Sequence, residues 1–271
     1  MRLGATLAHL RTLGAQVELH RPPSAQAAQQ EMRELAGVAE RLIVVGGDGM
    51  VHQAANALLG SSTVLGIISA GTGNDAVKSL GLSGDIDEAC QAALRDPLAI
   101  DMISSGAGVA VTIATAGFSV SVNDRANEMK RMRGSAKYTL SSLMTLPKLE
   151  THELTLVLDG RQFDVEANLV AVANTQYFGG GMKIAPDAEV NNGKLDVVVI
   201  GPASRLAFGA MLPLVFTGRH VSSSYVQTHR AATIEIRGEA IDVRADGEPF
   251  GTLPSSFVVK PKSLLVAGAA V

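Results

Sequence analysis

Ile43-Val44-Val45-Gly46-Gly47-Asp48-Gly49-Met50-Val51-His52-Gln53-Ala54 is a short apolar run that breaks into glycines around one acid and restarts as a helix. Ile43 to Val45 are β-branched and bounded by glycine, the pattern of a strand buried on both faces in a parallel sheet. Gly46, Gly47 and Gly49 remove side chains at the strand's carboxyl end, where open α/β sheets place their ligands, so backbone amides can come close to an anion. From about Met50, the residues Val51, Ala54, Ala55, Leu58 and Leu59 share one side of a helix whose N-terminal amides face the same crevice. A carboxylate there is repelled by phosphate unless a cation mediates, so Asp48 points to Mg²⁺ or a phosphoryl-acceptor hydroxyl nearby and to a role in placing charge rather than in packing.

The pattern recurs. Val64 to Ile68 read as a second buried strand, and Ser69-Ala70-Gly71-Thr72-Gly73-Asn74-Asp75 supplies glycines, a hydroxyl, an amide and an acid before a helix starting near Ala76. Two such loops side by side make a phosphate cradle; the alternative is a pair of Gly-rich βα turns that bind nothing, which also occur in doubly wound domains.

Upstream, Leu3, Leu7 and Leu10 have helical spacing up to Gly14, Val17 to His20 suggest a short strand, and Ser24 is placed to cap a helix from about Ala25 to Ala36. Asp87 to Leu94 gives one more helix before Pro97. From about Ile100 the period changes to two, as in Val109, Val111 and Ile113, and Leu154, Leu156 and Leu158 lead into Asp159-Gly160, a hairpin turn dipeptide. Further strands are expected at 169–173, 195–200, 233–236, 241–244 and 257–260. Helices over 123–146 and 204–216 interrupt them. The chain therefore divides into an α/β domain over residues 1–99 and a mostly antiparallel β-sandwich domain over 100–261.

With 271 residues, two modest cores are affordable, and 46% hydrophobic against 18% charged residues describes a folded protein without low-complexity tracts. A net charge of −3 gives no whole-chain attraction to nucleic acid or anionic lipid, so any such contact must be local. Cys90 has no disulfide partner and sits among Ala89, Ala92 and Ala93, the setting of an inert buried thiol in a reducing cytoplasm. No apolar run is long enough to cross a bilayer and no signal-peptide pattern is present, so the expected location is cytoplasmic or peripheral to the inner membrane surface. Oligomeric state is open, a homodimer included.

Gly46-Gly47-Asp48-Gly49 followed by Gly71-Thr72-Gly73-Asn74-Asp75 resembles the diacylglycerol kinase catalytic domain family, bacterial lipid kinases related to sphingosine kinases. Ala116-Gly117-Phe118, Val172-Ala173-Asn174, Gly179-Gly180-Gly181-Met182, Ala185-Pro186-Asp187-Ala188 and Ala245-Asp246-Gly247-Glu248-Pro249 extend the likeness over nearly the whole chain. Gly-Gly-Asp-Gly alone also occurs in NAD kinases and phosphofructokinases, whereas the second loop and the Asp-Gly-Glu-Pro turn favour lipid kinases. The resemblance implies an ATP- and Mg²⁺-dependent transfer to a lipid hydroxyl, diacylglycerol first, with the nucleotide in the cleft between the domains and residues 262–271 returning to the first domain. It also implies a strand and an Asn-Pro-x-Ser-Gly loop upstream of residue 1, and the reading is first of a start placed too late or a chain cut short, and then of a protein that works without that loop.

Carried over residue by residue, the resemblance makes Glu248 the proton acceptor with Asp246 beside it and Asp48 in the phosphate site. Gly46, Gly47, Asp48, Gly49, Met50, Gly71, Thr72, Gly73, Asn74 and Asp75 form the nucleotide loops. A structural Mg²⁺ would take Glu189, Asn192 and the carbonyl of Lys194, although Asn192 stands where an acid is common and weakens such a site. Met50 replaces the usual threonine and lacks its hydroxyl. By residue pattern alone, Asp246-Gly247 is equally an ordinary hairpin turn and Asn191-Asn192-Gly193 a bare turn. His52 is read as a surface residue without a role, and His152, His220 and His229 as structural. For contact with a membrane, Met129-Lys130-Arg131-Met132-Arg133 with Lys137 is a basic segment suited to anionic headgroups or, alternatively, a solvated helix face. The apolar helix over 204–216 reads as core first and as the wall of a lipid channel second. Competing functions are a soluble-substrate kinase of the NAD type and a catalytically weak lipid- or nucleotide-binding regulator.

Overall fold

The computed structural model describes residues 2–129 and 135–270. The chain begins with α1 (Arg2–Thr12) and α2 (Ala25–Leu35), the second capped by Ser24, whose Oγ accepts the Ala27 amide at 3.1 Å. The strand expected at 17–20 does not form, because the segment has no ladder partner. Its Ala15 and Val17 instead pack, partly buried, against the cluster of Leu10, Ile68, Ala89 and Cys90.

β1 (Arg41–Gly46), α3 (Asp48–Leu58), β2 (Val64–Ser69), α4 (Asp75–Ser79) and α5 (Ile86–Ala93) follow. β1 and β2 are parallel, from Arg41 opposite Val64 to Gly46 opposite Ser69, and β2 is buried throughout. Helices cover both faces of this pair. Met32, Val51, Ala55 and Leu58 from α2 and α3 pack on one side, and Leu10, Ala89 and Cys90 from α1 and α5 on the other. Cys90 is a buried free thiol, as its alanine-rich setting suggested.

β3 (Pro97–Ser105) and β4 (Gly108–Ala110) lead into the β domain, followed by β5 (Ile113–Gly117), α6 (Phe118–Glu128) and α7 (Ser135–Thr145). The helical insertion thus starts earlier than its sequence pattern indicated, at Phe118. Residues 130–133 of the basic segment lie outside the described residues. β6 (His152–Leu158) and β7 (Arg161–Ala167) form the hairpin around Asp159-Gly160, both with positive φ. Then come β8 (Leu169–Ala173), the short β9 (Tyr177–Phe178) and β10 (Met182–Lys183), β11 (Leu195–Ile200), α8 (Arg205–Val215), β12 (Val226–Ala231), β13 (Thr233–Gly238), β14 (Asp242–Ala245), β15 (Glu248–Thr252) and β16 (Ser255–Ala267).

One sheet runs β12-β11-β8-β5-β14-β15, and its pairs are antiparallel. The other runs β1-β2-β16-β13-β6-β7, with β3 paired to β16 and to β4. Leu156, Val197, Ile234, Phe250 and Phe257 fill the space between the two sheets. The outer face of the first is covered by Phe118 of α6 and Phe208, Met211 and Leu212 of α8. β16 belongs to both domains. Its first part pairs with β13 inside the sandwich, and Val266 near its end lies parallel to Leu65 of β2.

The register of β16 against β3 shifts between Lys260 and Leu264, where Lys262 adopts φ 47°. Asp101 holds this irregularity. Fully buried, its carboxylate accepts the Lys262 amide and the Gly193 amide, each at 2.7 Å, while Asn174 donates to its carbonyl at 2.8 Å. Asp101→Ala would strand two backbone donors and is expected to cost roughly 3 kcal/mol. It should show as a lower urea midpoint at unchanged slope. A loss below about 1 kcal/mol would contradict the role assigned to Asp101.

Candidate active site

The two glycine loops touch. Ala70 donates to the carbonyl of Gly46 at 2.7 Å, and a Cβ on Gly71 would sit 2.6 Å from Cα of Gly47. A Cβ on Gly73 would sit 2.8 Å from Oδ2 of Asp48. These glycines are therefore required first by the contact between the loops, and the contact leaves main chain lining the cavity. Because α3 begins at Asp48, its first amides have no intrahelical acceptor. Gly47, Asp48, Gly49, Gly71, Thr72, Gly73 and Asp75 line the cavity, while Gly46, Met50 and Asn74 stand behind it. Met50 folds back over Gly46 and packs toward the α/β core.

Asp48 does more than place charge, contrary to the expectation that it takes no part in packing. Asn74 at the start of α4 makes no side-chain cap, and Asp48 from the other loop takes its place, with Oδ1 accepting the Ala76 amide at 3.2 Å. Burial raises the Asp48 pKa, opposed by the amides of Ala76, Asn74 and Asp75 and reinforced by the charge of Asp246. Asp75 is 8% exposed; its Oδ2 accepts the Gly180 amide at 2.8 Å, and its Oδ1 has no partner among the described residues. Burial lifts its pKa to about 6, with Asp48 adding to the rise and the Gly180 amide and Lys78 opposing it.

The facing wall is the turn between β14 and β15. Glu248 is exposed, and a Cβ on Gly49 would lie 3.2 Å from its Oε1. Gly49 thus gives the Glu248 carboxylate room beside the first turn of α3. Asp246 differs from its neighbour. Its side chain is 3% exposed; Oδ1 accepts from the amide and hydroxyl of Thr112, and Oδ2 accepts the Val111 amide at 3.0 Å and bonds Nδ1 of His52 at 2.8 Å. Burial pushes the Asp246 pKa up, but the bond and charge of His52 and the donors of Thr112 and Val111 outweigh it and hold the group below the usual range. Its lone pairs are committed, which ties the turn to α3 and to the link between β4 and β5.

His52 is the residue that sequence reasoning missed. It is half-buried, not a surface residue, and spans from α3 to Asp246. Asn56, one turn further on, donates to Val109 O at 2.8 Å and accepts its amide at 3.1 Å, so α3 is bonded to the β domain at two successive turns. Burial pulls the His52 pKa down, but the bond and charge of Asp246, with Glu248, give a net rise. The available signal was a polar pair at i and i+4 on a helix whose neighbours Val51, Ala54, Ala55 and Leu58 are all buried.

Behind the polar mouth the cavity, about 360 Å³ in volume, becomes apolar, lined by Phe118, Val122, Ile184, Phe208, Met211 and Leu212 among others. His220 lies in its wall, fully buried, with Nε2 on the carbonyl of Ile184 at 3.1 Å; burial lowers its pKa.

Glu189, Asn192 and Lys194 lie apart from this cavity and do not converge as cation ligands. Oδ1 of Asn192 accepts the Lys194 amide at 2.9 Å, and its Nδ2 faces Glu189 Oε2 at 3.4 Å, which closes the loop as a turn. The Lys194 ammonium pairs with Asp159 at 2.9 Å. Among the described residues no group of three or more His, Cys, Asp or Glu side chains is placed to hold a metal. The loop sets an amide rather than a second carboxylate beside Glu189, and with Oδ1 of Asn192 turned to the Lys194 amide the set is weaker for Mg²⁺ than paired carboxylates.

Residues 2–105 match the diacylglycerol kinase catalytic domain, and residues 112–268 match the YegS C-terminal NAD kinase beta sandwich-like domain. A diacylglycerol kinase of Mycobacterium tuberculosis is 34% identical over 235 residues, covering 84% of this chain and 76% of the relative. One from Bacillus subtilis is 29% identical, over 80% and 74% respectively. In fold, a crystal structure from Bacillus anthracis superposes with a TM-score of 0.85 at 24% identity, covering 98% of this chain and 90% of that one.

His52, with a folded pKa above 6.5, contributes stability that is complete below that value and is lost as pH rises through the folded pKa. The thermal-midpoint gap between the parent and His52→Ala should therefore be widest near pH 6 and shrink by about pH 8.5; a gap independent of pH would contradict the ion pair. For the 189–194 loop, the parent's midpoint should not respond to Mg²⁺, whereas Asn192→Asp, which sets two carboxylates together, should acquire a Mg²⁺-dependent rise. A Mg²⁺ response in the parent would show the loop to be a cation site after all.

Proposed function

The chain belongs to the diacylglycerol kinase catalytic domain family, and from this premise we propose that it transfers the γ-phosphate of ATP to the hydroxyl of a lipid, diacylglycerol as the first candidate, giving phosphatidic acid. The observation that carries this reading is one cavity with two chemistries. At its mouth an exposed carboxylate, Glu248, faces glycine loops and a helix N-terminus, and behind the mouth lies an apolar chamber. A phosphorylated co-substrate suits the loop amides of Gly47 to Gly49 and Gly71 to Gly73, with Thr72 as a hydroxyl donor. An acyl chain suits the chamber.

In this reading the lipid hydroxyl lies between Glu248 and the loops. Glu248 takes its proton as the oxygen attacks the terminal phosphorus and the bond to the leaving diphosphate breaks. Mg²⁺ carried with the nucleotide neutralises charge on the phosphates when bound. Asp246 and His52 hold the turn from which Glu248 projects. Asp75, one carboxylate oxygen of which has no partner among the described residues, supplies a second acceptor in the same cavity. Among the described residues no helix is long and apolar enough to cross a membrane, so a lipid substrate would be met at a surface.

Glu248→Gln keeps the turn and removes the base. The variant should lose about 10² to 10⁴ in kcat. Calorimetry should find its ATP affinity within about twofold of the parent's. Turnover at the parent's rate, or loss of ATP affinity as the main effect, would remove Glu248 from this role.

A further inference from the structure

α7 and α8 carry apolar residues on both sides. Their inner sides line the cavity, through Tyr138 and Ser142 of α7 and through Phe208, Met211, Leu212 and Val215 of α8. Their outer sides are exposed and equally apolar. On α7, Leu140, Leu143 and Met144 are 37%, 48% and 47% exposed, and on α8, Leu206 and Leu214 are 88% and 39% exposed, with Ala210 and Pro213 between them. Both helices meet the turn Leu146–Lys148; a Cβ on Gly209 of α8 would lie 3.3 Å from Cδ1 of Leu146. The sequence reading of α8 as core is half right. A helix apolar all round is ordinarily buried in protein or in lipid, and this one is only half buried.

Within the sequence of these helices and their immediate flanks the charge is one-signed, although Asp124 and Glu128 of the neighbouring α6 and Glu150 just beyond the turn are acids. The chain has a net charge of −3, yet no acid occurs from Met129 to Leu149 or from Gly201 to Ile234. Lys148 at the end of the turn after α7, Arg205 at the start of α8 and Arg219 just beyond it are exposed, and none is ion-paired among the described residues. A second copy of this chain seated on the same face would bring these cations against their own counterparts, since a two-fold contact pairs a patch with itself. An anionic bilayer offers hydrocarbon for the leucines and negative charge for the cations.

We propose that α7 and α8 form the face on which this protein docks to an anionic bilayer. Leu140, Leu143, Met144, Leu206 and Leu214 enter the acyl region, and Lys148, Arg205 and Arg219 lie at the headgroups. The wall of the cavity is then itself in contact with lipid, and the acceptor reaches the apolar chamber past α7 and α8 without crossing water. This deepens the lipid-kinase reading and rests on it for the identity of what enters the cavity; the docking itself does not depend on turnover.

The test uses the double variant Leu143→Glu, Leu206→Glu, at exposed positions outside the cavity, with its thermal midpoint checked against the parent. The parent should co-sediment with vesicles containing about 30 mol % phosphatidylserine and bind pure phosphatidylcholine at least about tenfold more weakly. The variant should lose about tenfold or more in binding to the anionic vesicles, and phosphorylation of long-chain diacylglycerol within them should fall in step. Turnover of a dispersed short-chain diacylglycerol should stay at the parent's level. Anionic vesicles that bind parent and variant equally, or that bind neither, would overturn the docking face. So would a parent dimer in size exclusion that the variant converts to monomer, because a second copy would then cover the patch. If the parent docks as expected but phosphorylates neither lipid, the docking face stands and the lipid-kinase reading fails.

Discussion

A buried carboxylate, Asp246, joins the two halves of this molecule beside the glycine loops. Asp246 sits in a turn with positive φ and collects donors from Val111, Thr112 and His52. One set of donors belongs to the link between β4 and β5 and the other to α3, the helix that grows out of the first glycine loop. Glu248 stands two residues beyond, so its position opposite Gly49 is set by what Asp246 is bonded to. A buried charge is tolerated only when its hydrogen-bonding capacity is used, which makes this arrangement costly to break and fixes the turn in one geometry. The division of labour within Asp-Gly-Glu follows from burial: the enclosed acid positions, and the exposed one is free to meet a substrate.

The glycine loops show a similar economy. A Cβ on Gly71 would sit 2.6 Å from Cα of Gly47 and one on Gly47 3.2 Å from Cα of Gly71, and Asp48 from the first loop caps the helix that follows the second. The loops therefore form one unit rather than two neighbours, and the main chain they expose is held by contacts behind it. Asp75 bears the penalty of this enclosure. Its raised pKa, caused first by burial, identifies a carboxylate kept where it is less stable than in water, as is common where function requires it.

Features set by local chemistry were legible in the sequence. The two strand–glycine–helix units, the Ser24 cap and the Asp159-Gly160 hairpin all depend on residues within a few positions of one another, and each formed where its pattern indicated. What escaped depends on contacts across the chain. His52 and Asp246 are 194 residues apart, and Asp101 holds Lys262 from 161 residues away, so no period or spacing reveals either. The stretch at 17–20 has the composition of a strand but forms no ladder with any described strand. In the 189–194 loop, an asparagine that serves a cation site and one that closes a turn look alike until its oxygen is seen to accept the Lys194 amide. A uniformly apolar helix such as α8 gives no indication of which side faces water.

The central claim is that the cavity between the glycine loops and Glu248 phosphorylates a lipid. It is tested most directly by incubating the purified chain with γ-labelled ATP and a panel of acceptors, comprising diacylglycerol in anionic vesicles, a single-chain amino alcohol lipid and NAD, and then separating the labelled products. The account predicts label in an organic-phase product that co-migrates with phosphatidic acid. Label confined to phosphorylated NAD, or ATP bound with no labelled product from any acceptor, would contradict it.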